Sequence, residues 1–136
     1  MLDIMTVWTL AEVEQAVRAS WGADTCDPVA IPDWTPDNPS LGQCGTTALV
    51  IQDLLGGDLV LARVHLNGES DGNHYWNRFG PGIDIDFTRE QFRKGQTLTE
   101  GEVVHRGPDG PRRCREEYEL LRSRVLTRLG LIPPTT

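Results

Sequence analysis

The sequence lacks the features that mark several large classes of protein. Its 136 residues carry a formal net charge of −7 and contain no basic block, which argues against nucleic acid and anionic membranes as partners. No apolar run approaches the length of a membrane span, and the N-terminal segment has neither the positive flank nor the long apolar core of a signal peptide. We therefore expect a cytoplasmic protein.

Cysteine is also scarce. Cys26, Cys44 and Cys114 are odd in number and widely spaced, so they do not form a disulfide framework. The sequence has no C-x-x-C motif and no close pair of histidines, which disfavours a zinc site built from Cys26, Cys44 and His74. We expect no metal and no cofactor. The length fits one domain over residues 1–136.

The chain is organised around the segment from Leu41 to Gly57. Apolar residues follow Cys44 around nearly the whole helical circumference, which predicts a helix buried in the middle of the domain. Ser40 is a candidate N-cap, and the glycine pair ending at Gly57 predicts the stop. Cys44 would then lie in the first turn, where unpaired N–H groups and the helix dipole favour a thiolate. The alternative is an inert cysteine packed in the core.

The flanking segments predict an α+β fold. Thr9 and Glu12 form a capping-box pattern ahead of an amphipathic helix over residues 10–20. Residues 23–39 are rich in proline and predict an ordered loop, and the sequence leaves open whether this loop acts as a lid over the site. The remaining predicted strands lie at 58–66, 73–79, 83–87 and 102–104. The segment from Thr88 to Gln91 repeats the capping-box pattern and predicts the start of a short helix, and a last helix runs from Cys114 to Leu129. Together they predict a central helix packed on a small antiparallel sheet.

The second and third predicted strands carry a candidate base and a carboxylate. If Gly80 to Gly82 form a three-residue hairpin loop, Arg78 faces Asp84 across the hairpin. Asp86 is then a diagonal neighbour of His74 on the same face and can orient its imidazole. A two-residue loop would place them on opposite faces. The plainer alternatives are a core histidine and aspartates on a solvated strand face.

A nucleophilic cysteine needs a base nearby and a third group that orients the base. Cys44, His74 and Asp86 supply these three residue types. The local motifs are Gly42-Gln43-Cys44 at a helix start, His74-Tyr75-Trp76-Asn77 on one strand, and Ile85-Asp86-Phe87-Thr88 at the end of the next. In this order they resemble the core of the transglutaminase-like proteins, in the papain-like superfamily.

The whole chain also resembles the YunG family of bacterial proteins. The matching segments are Ala19-Ser20-Trp21, Thr25-Cys26, Gly42 to Gly57, His74 to Arg78 and Asp86 to Phe92. This second resemblance implies no activity. The first implies a papain-like core with Cys44 as the nucleophile, His74 as the base and Asp86 as the orienting carboxylate. It also implies acyl transfer from an amide or ester, in a small molecule or a peptide, through a thioester.

Other residues are candidates for supporting roles. The backbone N–H of Cys44 is the first candidate donor to an oxyanion, and Gln43 and Asn38 are competing side-chain donors. Trp34 and Trp76 are candidates for the lining of a substrate pocket, or for aromatic core. Cys26 is either a second thiol of the site or a structural cysteine, and its acidic neighbours favour the second. A non-catalytic binding or redox-sensing protein is the alternative function. The sequence does not indicate an oligomeric state.

Overall fold

A computed structural model describes residues 7–92 and 94–133. The described part of the chain is an α+β domain of three α-helices and five strands. The helices are α1 (Leu10–Ser20), α2 (Cys44–Leu55) and α3 (Arg115–Arg128). The strands are β1 (Asp58–Leu66), β2 (Glu69–Arg78), β3 (Asp84–Ile85), β4 (Gln96–Leu98) and β5 (Glu102–Val104). The expected combination of helices with a small antiparallel sheet is therefore present.

The sheet is built around β1. Strand β2 pairs with one edge of β1, and the short strands β4 and β5 pair with different parts of its other edge. Strand β3 lies outside β2, and each of these pairings is antiparallel. Helix α2 packs on β2 and against α3, which also contacts α1. The central helix therefore lies between the sheet and the other two helices.

The helices share one hydrophobic core. Val17 of α1, Val50 and Ile51 of α2, and Leu121 and Val125 of α3 all have side chains that are almost completely buried. Because each helix contributes apolar residues on one face, burying them together removes that surface from water and holds the helices in contact. This core anchors α2 and thereby fixes the position of its N-terminal end.

Helix α1 confirms the prediction over residues 10–20. The Thr9 hydroxyl accepts a hydrogen bond from the Glu12 backbone N–H at 3.1 Å, and the Glu12 carboxylate accepts one from the Thr9 backbone N–H at 3.3 Å. The predicted capping box is therefore formed.

The start of α2 differs from the prediction. Ser40 is not the N-cap; the cap position belongs to Gln43, and the helix begins at Cys44. Gly42 has a φ of +72°, a left-handed conformation that interrupts any helix begun at Ser40. The predicted stop is confirmed, because Gly56 is the C-cap residue.

The β1–β2 hairpin is tighter than predicted. The turn uses only Asn67 and Gly68, whose φ values of +54° and +83° suit a two-residue hairpin loop. As a result β2 starts at Glu69, earlier than the expected residue 73. Strand β3 is shorter than expected, and β4 was not predicted. The bounds of β1 and β5 confirm the predicted strands.

The proline-rich segment is ordered, as predicted. It contains two short 3-10 helices, at Ala23–Thr25 and Pro28–Asp33. Two ion pairs connect it to the C-terminal part of the chain: Asp24 with Arg124, and Asp27 with Arg113. The Asp27 backbone N–H also donates to the Gly42 carbonyl at 2.9 Å, which holds the segment beside the N-terminal end of α2.

Helix α3 begins one residue later than predicted. Cys114 is the N-cap residue, with a left-handed φ of +57°, and is half-buried. Within the described ranges, no helix is both long and apolar enough to cross a membrane.

Candidate active site

Cys44 is the first residue of α2 and is half-buried. The first N–H groups of a helix have no partner within the helix, so the backbone around Cys44 presents donors and the positive end of the dipole. The Cys44 sulfur lies 3.9 Å from the backbone oxygen of Asn73, next to His74 on β2. The thiol therefore faces the strand that carries the candidate base.

His74 is fully buried and is held by Asp86. The Nε2 atom of His74 lies 2.6 Å from Oδ2 of Asp86, a short hydrogen bond between the imidazole and the carboxylate. The other carboxylate oxygen, Oδ1, accepts hydrogen bonds from the backbone N–H of Thr88 at 3.0 Å and from its hydroxyl at 3.1 Å. The carboxylate that orients the histidine is thus itself oriented by the following turn.

The hairpin register that brings these two residues together is the predicted one. Arg78 pairs with Asp84, and the Phe79 N–H donates to the Ile83 carbonyl at 2.8 Å. Arg78 also forms two hydrogen bonds with the Asp84 carboxylate, of 2.7 and 3.0 Å. The three-residue loop therefore places Asp86 on the same face of the hairpin as His74, as predicted for a loop of this length.

The electrostatic environment favours a protonated imidazole. Burial alone lowers the pKa of His74, but the hydrogen bond to Asp86 and the interactions with the Cys44 thiol outweigh it and raise the pKa to about 9.

The sequence did not reveal Gln91 as part of this site. Its side-chain Nε2 lies 2.6 Å from Nδ1 of His74, the ring nitrogen that Asp86 leaves free. The ring of Phe92 meets the imidazole edge-on, with centroids 4.5 Å apart. The pattern from Thr88 to Gln91 predicted a capping box, but the Thr88 side chain makes no capping bond. Gln91 and His74 are far apart in the chain, so no local sequence pattern indicates their contact.

The two side chains proposed as oxyanion donors lie in different environments. Gln43 is fully buried, and its amide nitrogen donates to the Gly22 carbonyl at 2.9 Å while its oxygen accepts from the Thr25 hydroxyl at 2.8 Å. Both ends of that amide are engaged in holding the 22–25 turn against α2. Asn38 is exposed and forms part of a tight turn with Thr35.

Cys26 is completely buried beneath the turn that precedes α2. Its sulfur lies 3.3 Å from the backbone oxygens of Asp27 and Leu41. Burial, together with nearby Asp27 and Cys114, raises the pKa of Cys26 to about 11. In this position Cys26 packs as a core residue, and its thiol is protected from the solvent.

The two candidate tryptophans are partly buried. The indole N–H of Trp34 donates to the Pro39 carbonyl at 3.1 Å and closes the loop on itself. Trp76 stacks beside His74, with ring centroids 5.7 Å apart, and its N–H donates to Asp84 at 2.9 Å. Trp76 therefore forms one wall of the histidine environment.

No metal centre is indicated among residues 7–92 and 94–133. Over those ranges, no group of three or more histidine, cysteine, aspartate or glutamate side chains is arranged to hold an ion.

Taken together, the described residues define an α+β protein with a thiol at a helix start and a histidine–carboxylate pair beside it. The model of the YunG protein family matches residues 9–130, and the chain belongs to that family. It is 37% identical over 84 residues to a protein of Bacillus subtilis (strain 168) described as "Uncharacterized protein YunG". That alignment covers 62% of this chain and 64% of the relative's length. No solved structure matches the chain significantly.

Proposed function

We propose that this YunG-family protein is a cysteine-dependent acyl-transfer enzyme, a hydrolase, deamidase or acyltransferase acting on an amide or ester. The proposal includes a papain-like, transglutaminase-like arrangement of the core. The observation that carries it is the 2.6 Å contact between His74 and Asp86, made next to a thiol at the first turn of α2. Nucleophile, base and orienting group are the components that this chemistry requires.

The first half of the reaction forms a thioester. The Cys44 thiol first transfers its proton to His74, and the resulting thiolate sulfur attacks the substrate carbonyl carbon. The carbonyl oxygen becomes an oxyanion, for which the backbone N–H of Cys44 is the nearest donor by position. The intermediate then collapses, the bond to the leaving group breaks, and the imidazolium protonates the leaving amine or alcohol. Asp86 stays ionised and stabilises the imidazolium.

The second half releases the acyl group. Water or an amine attacks the thioester carbonyl, His74 accepts the proton of the nucleophile, and Cys44 leaves as the thiolate, which restores the thiolate–imidazolium pair. Water yields an acid, whereas an amine yields a new amide. A small-molecule or peptide acyl donor fits the half-exposed thiol, and the free cysteines suit a reducing compartment such as the cytoplasm.

Alkylation tests the reactivity on which the proposal depends. The rate of iodoacetamide labelling at Cys44 near pH 6 should exceed that of the same cysteine in the urea-unfolded chain, because a neighbouring imidazolium favours the thiolate. His74→Gln should abolish the difference, whereas His65→Gln, a substitution on β1, should preserve it. Labelling no faster than in the unfolded chain would contradict the enzymatic function and favour the alternative, a non-catalytic binding protein.

An aryl ester tests the chemistry itself. Such esters acylate reactive thiols without requiring a particular substrate, so the folded protein should gain the mass of one acyl group on Cys44. Cys44→Ala should not gain it. Acylation that is equal in the Cys44→Ala variant would show that the thiol is not the nucleophile.

A further inference from the structure

The proposed reaction has no side-chain donor to its oxyanion so far. An oxyanion is stabilised best by several preorganised donors, and each one typically contributes about a hundredfold or more in rate. Gln43 does not supply such a donor, because both ends of its amide are engaged within the protein. Asn38 is exposed, so its amide is hydrated rather than preorganised. A different side chain near Cys44 is therefore needed for this role.

Tyr75 places a phenol beside the first turn of α2. Side chains alternate between the two faces of a strand, so Tyr75 and Asn77 share one face of β2. The Asn77 amide donates to the Ala48 carbonyl at 2.9 Å, which identifies this face as the one packed on α2. A Cβ atom at Gly45 would lie 3.8 Å from Cδ2 of Tyr75. The Tyr75 ring therefore lies against the start of the helix.

The Cys44 thiol lies at the strand that carries both the base and this phenol. Its sulfur is 3.9 Å from the backbone oxygen of Asn73. His74 and Tyr75 follow Asn73 in β2, and their side chains point to opposite faces of the strand. A substrate carbonyl attacked by the sulfur can therefore direct its leaving group towards the imidazole and its oxygen towards the phenol and the helix start.

The Tyr75 hydroxyl is available to a substrate. Tyr75 is half-buried, and among the residues that the structure describes none forms a hydrogen bond with its hydroxyl. Burial is the main cause that raises the pKa of Tyr75 above its ordinary value of 10; the charge of nearby Cys44 adds to the rise, and Arg113 opposes it. The phenol is therefore protonated near pH 7, so it can donate a hydrogen bond and carries no charge that would repel a thiolate.

We propose that Tyr75 is a catalytic residue whose hydroxyl donates a hydrogen bond to the oxyanion, alongside the backbone N–H of Cys44. This inference rests on the acyl-transfer function proposed above. The bond strengthens as the carbonyl oxygen gains negative charge during the attack of the thiolate, and it weakens when the C=O bond is restored and the leaving group departs. The phenol keeps its proton throughout, so the proton transfers through His74 are unchanged.

Tyr75→Phe separates stabilisation of the oxyanion from the reactivity of the thiol. Acylation of Cys44 by an aryl ester passes through an oxyanion, whereas alkylation by iodoacetamide is a displacement at a saturated carbon and does not. The variant keeps the ring and loses only the hydroxyl, so its acylation rate should fall by about a hundredfold while its alkylation rate stays that of the wild type. Tyr118→Phe, which removes the hydroxyl of the only other tyrosine in the chain, is the matched control and should retain both rates.

The outcomes distinguish this donor from the function on which it rests. An acylation rate equal to that of the wild type in Tyr75→Phe would overturn the donor. Equal losses of acylation and alkylation would also overturn it, because they would assign Tyr75 to the thiol or to the fold. Absence of acylation at Cys44 in the wild type would contradict the acyl-transfer function itself, and the donor with it.

Discussion

Cys26 and Gly42 are packed so closely that the glycine has no room for a side chain. A Cβ atom at Gly42 would lie 2.5 Å from the Cys26 sulfur and 2.9 Å from the Cβ of Ala30. Gly42 immediately precedes the turn into α2, so this contact positions the start of the helix and, with it, Cys44. The buried thiol of Cys26 thereby acts on the candidate site through packing.

The first prediction compares two glycines on either side of Cys44. Gly42→Ala should destabilise the fold by about 2 kcal/mol or more, because alanine disfavours the left-handed φ of +72° and its methyl would clash with Cys26. Gly45→Ala should be neutral or stabilising by up to about 1 kcal/mol, since its nearest neighbour, on Tyr75, would lie at 3.8 Å. Urea unfolding monitored by circular dichroism measures both values. Equal stabilities would contradict the packing.

The second prediction concerns the order in which the thiols react. Because the pKa of Cys26 is about 11, only about one Cys26 in ten thousand is a thiolate at pH 7. Burial also raises the pKa of Cys114. Timed iodoacetamide labelling with peptide mapping should therefore modify Cys44 first and Cys26 last. In urea the three rates should converge, which is the control. Early labelling of Cys26 in the folded protein would contradict the structure.

Some of this architecture follows from local sequence patterns. Helix α1 and strand β1 have the predicted bounds because capping and alternation are properties of neighbouring residues. The register that brings His74 and Asp86 together follows from the three-residue loop at Gly80 to Gly82, since the length of the loop decides which side chains lie on the same face of the hairpin. For the same reason, the pairing of these two side chains could be predicted without knowing the rest of the fold.

Other features depend on contacts between distant parts of the chain. The cap of α2 is Gln43 and not Ser40, because the Gln43 side chain anchors the 22–25 turn and the left-handed Gly42 separates Ser40 from the helix. The Thr88 capping box does not form, because its N–H and hydroxyl both donate to Asp86. In each case a long-range or competing partner takes the polar group that a local pattern had assigned elsewhere.

The third prediction separates the two aspartates of the β3 segment. Asp86→Asn removes the charge that stabilises the His74 imidazolium, so the alkylation rate of Cys44 near pH 6 should fall by about tenfold or more. Asp84→Asn is the matched control: Asp84 pairs with Arg78 and Trp76 outside the histidine contact, and the rate should stay close to that of the wild type. Similar losses in both variants would indicate damage to the hairpin rather than a role for Asp86.

The last prediction concerns the pH dependence of stability. The pKa of His74 is about 9 in the folded protein, above its ordinary value of 6.5, so the native state holds this proton more tightly than the unfolded chain does. The resulting stabilisation is complete below pH 6.5 and disappears as the pH rises through 9; it amounts to about 3 kcal/mol at most. Asp86→Asn removes the main favourable partner of the imidazolium and should flatten the decline, whereas Asp84→Asn should retain it. Urea unfolding at pH 6 and pH 9 measures the difference. A wild-type decline no steeper than that of Asp86→Asn would mean that the His74–Asp86 pair does not hold a proton in the native state.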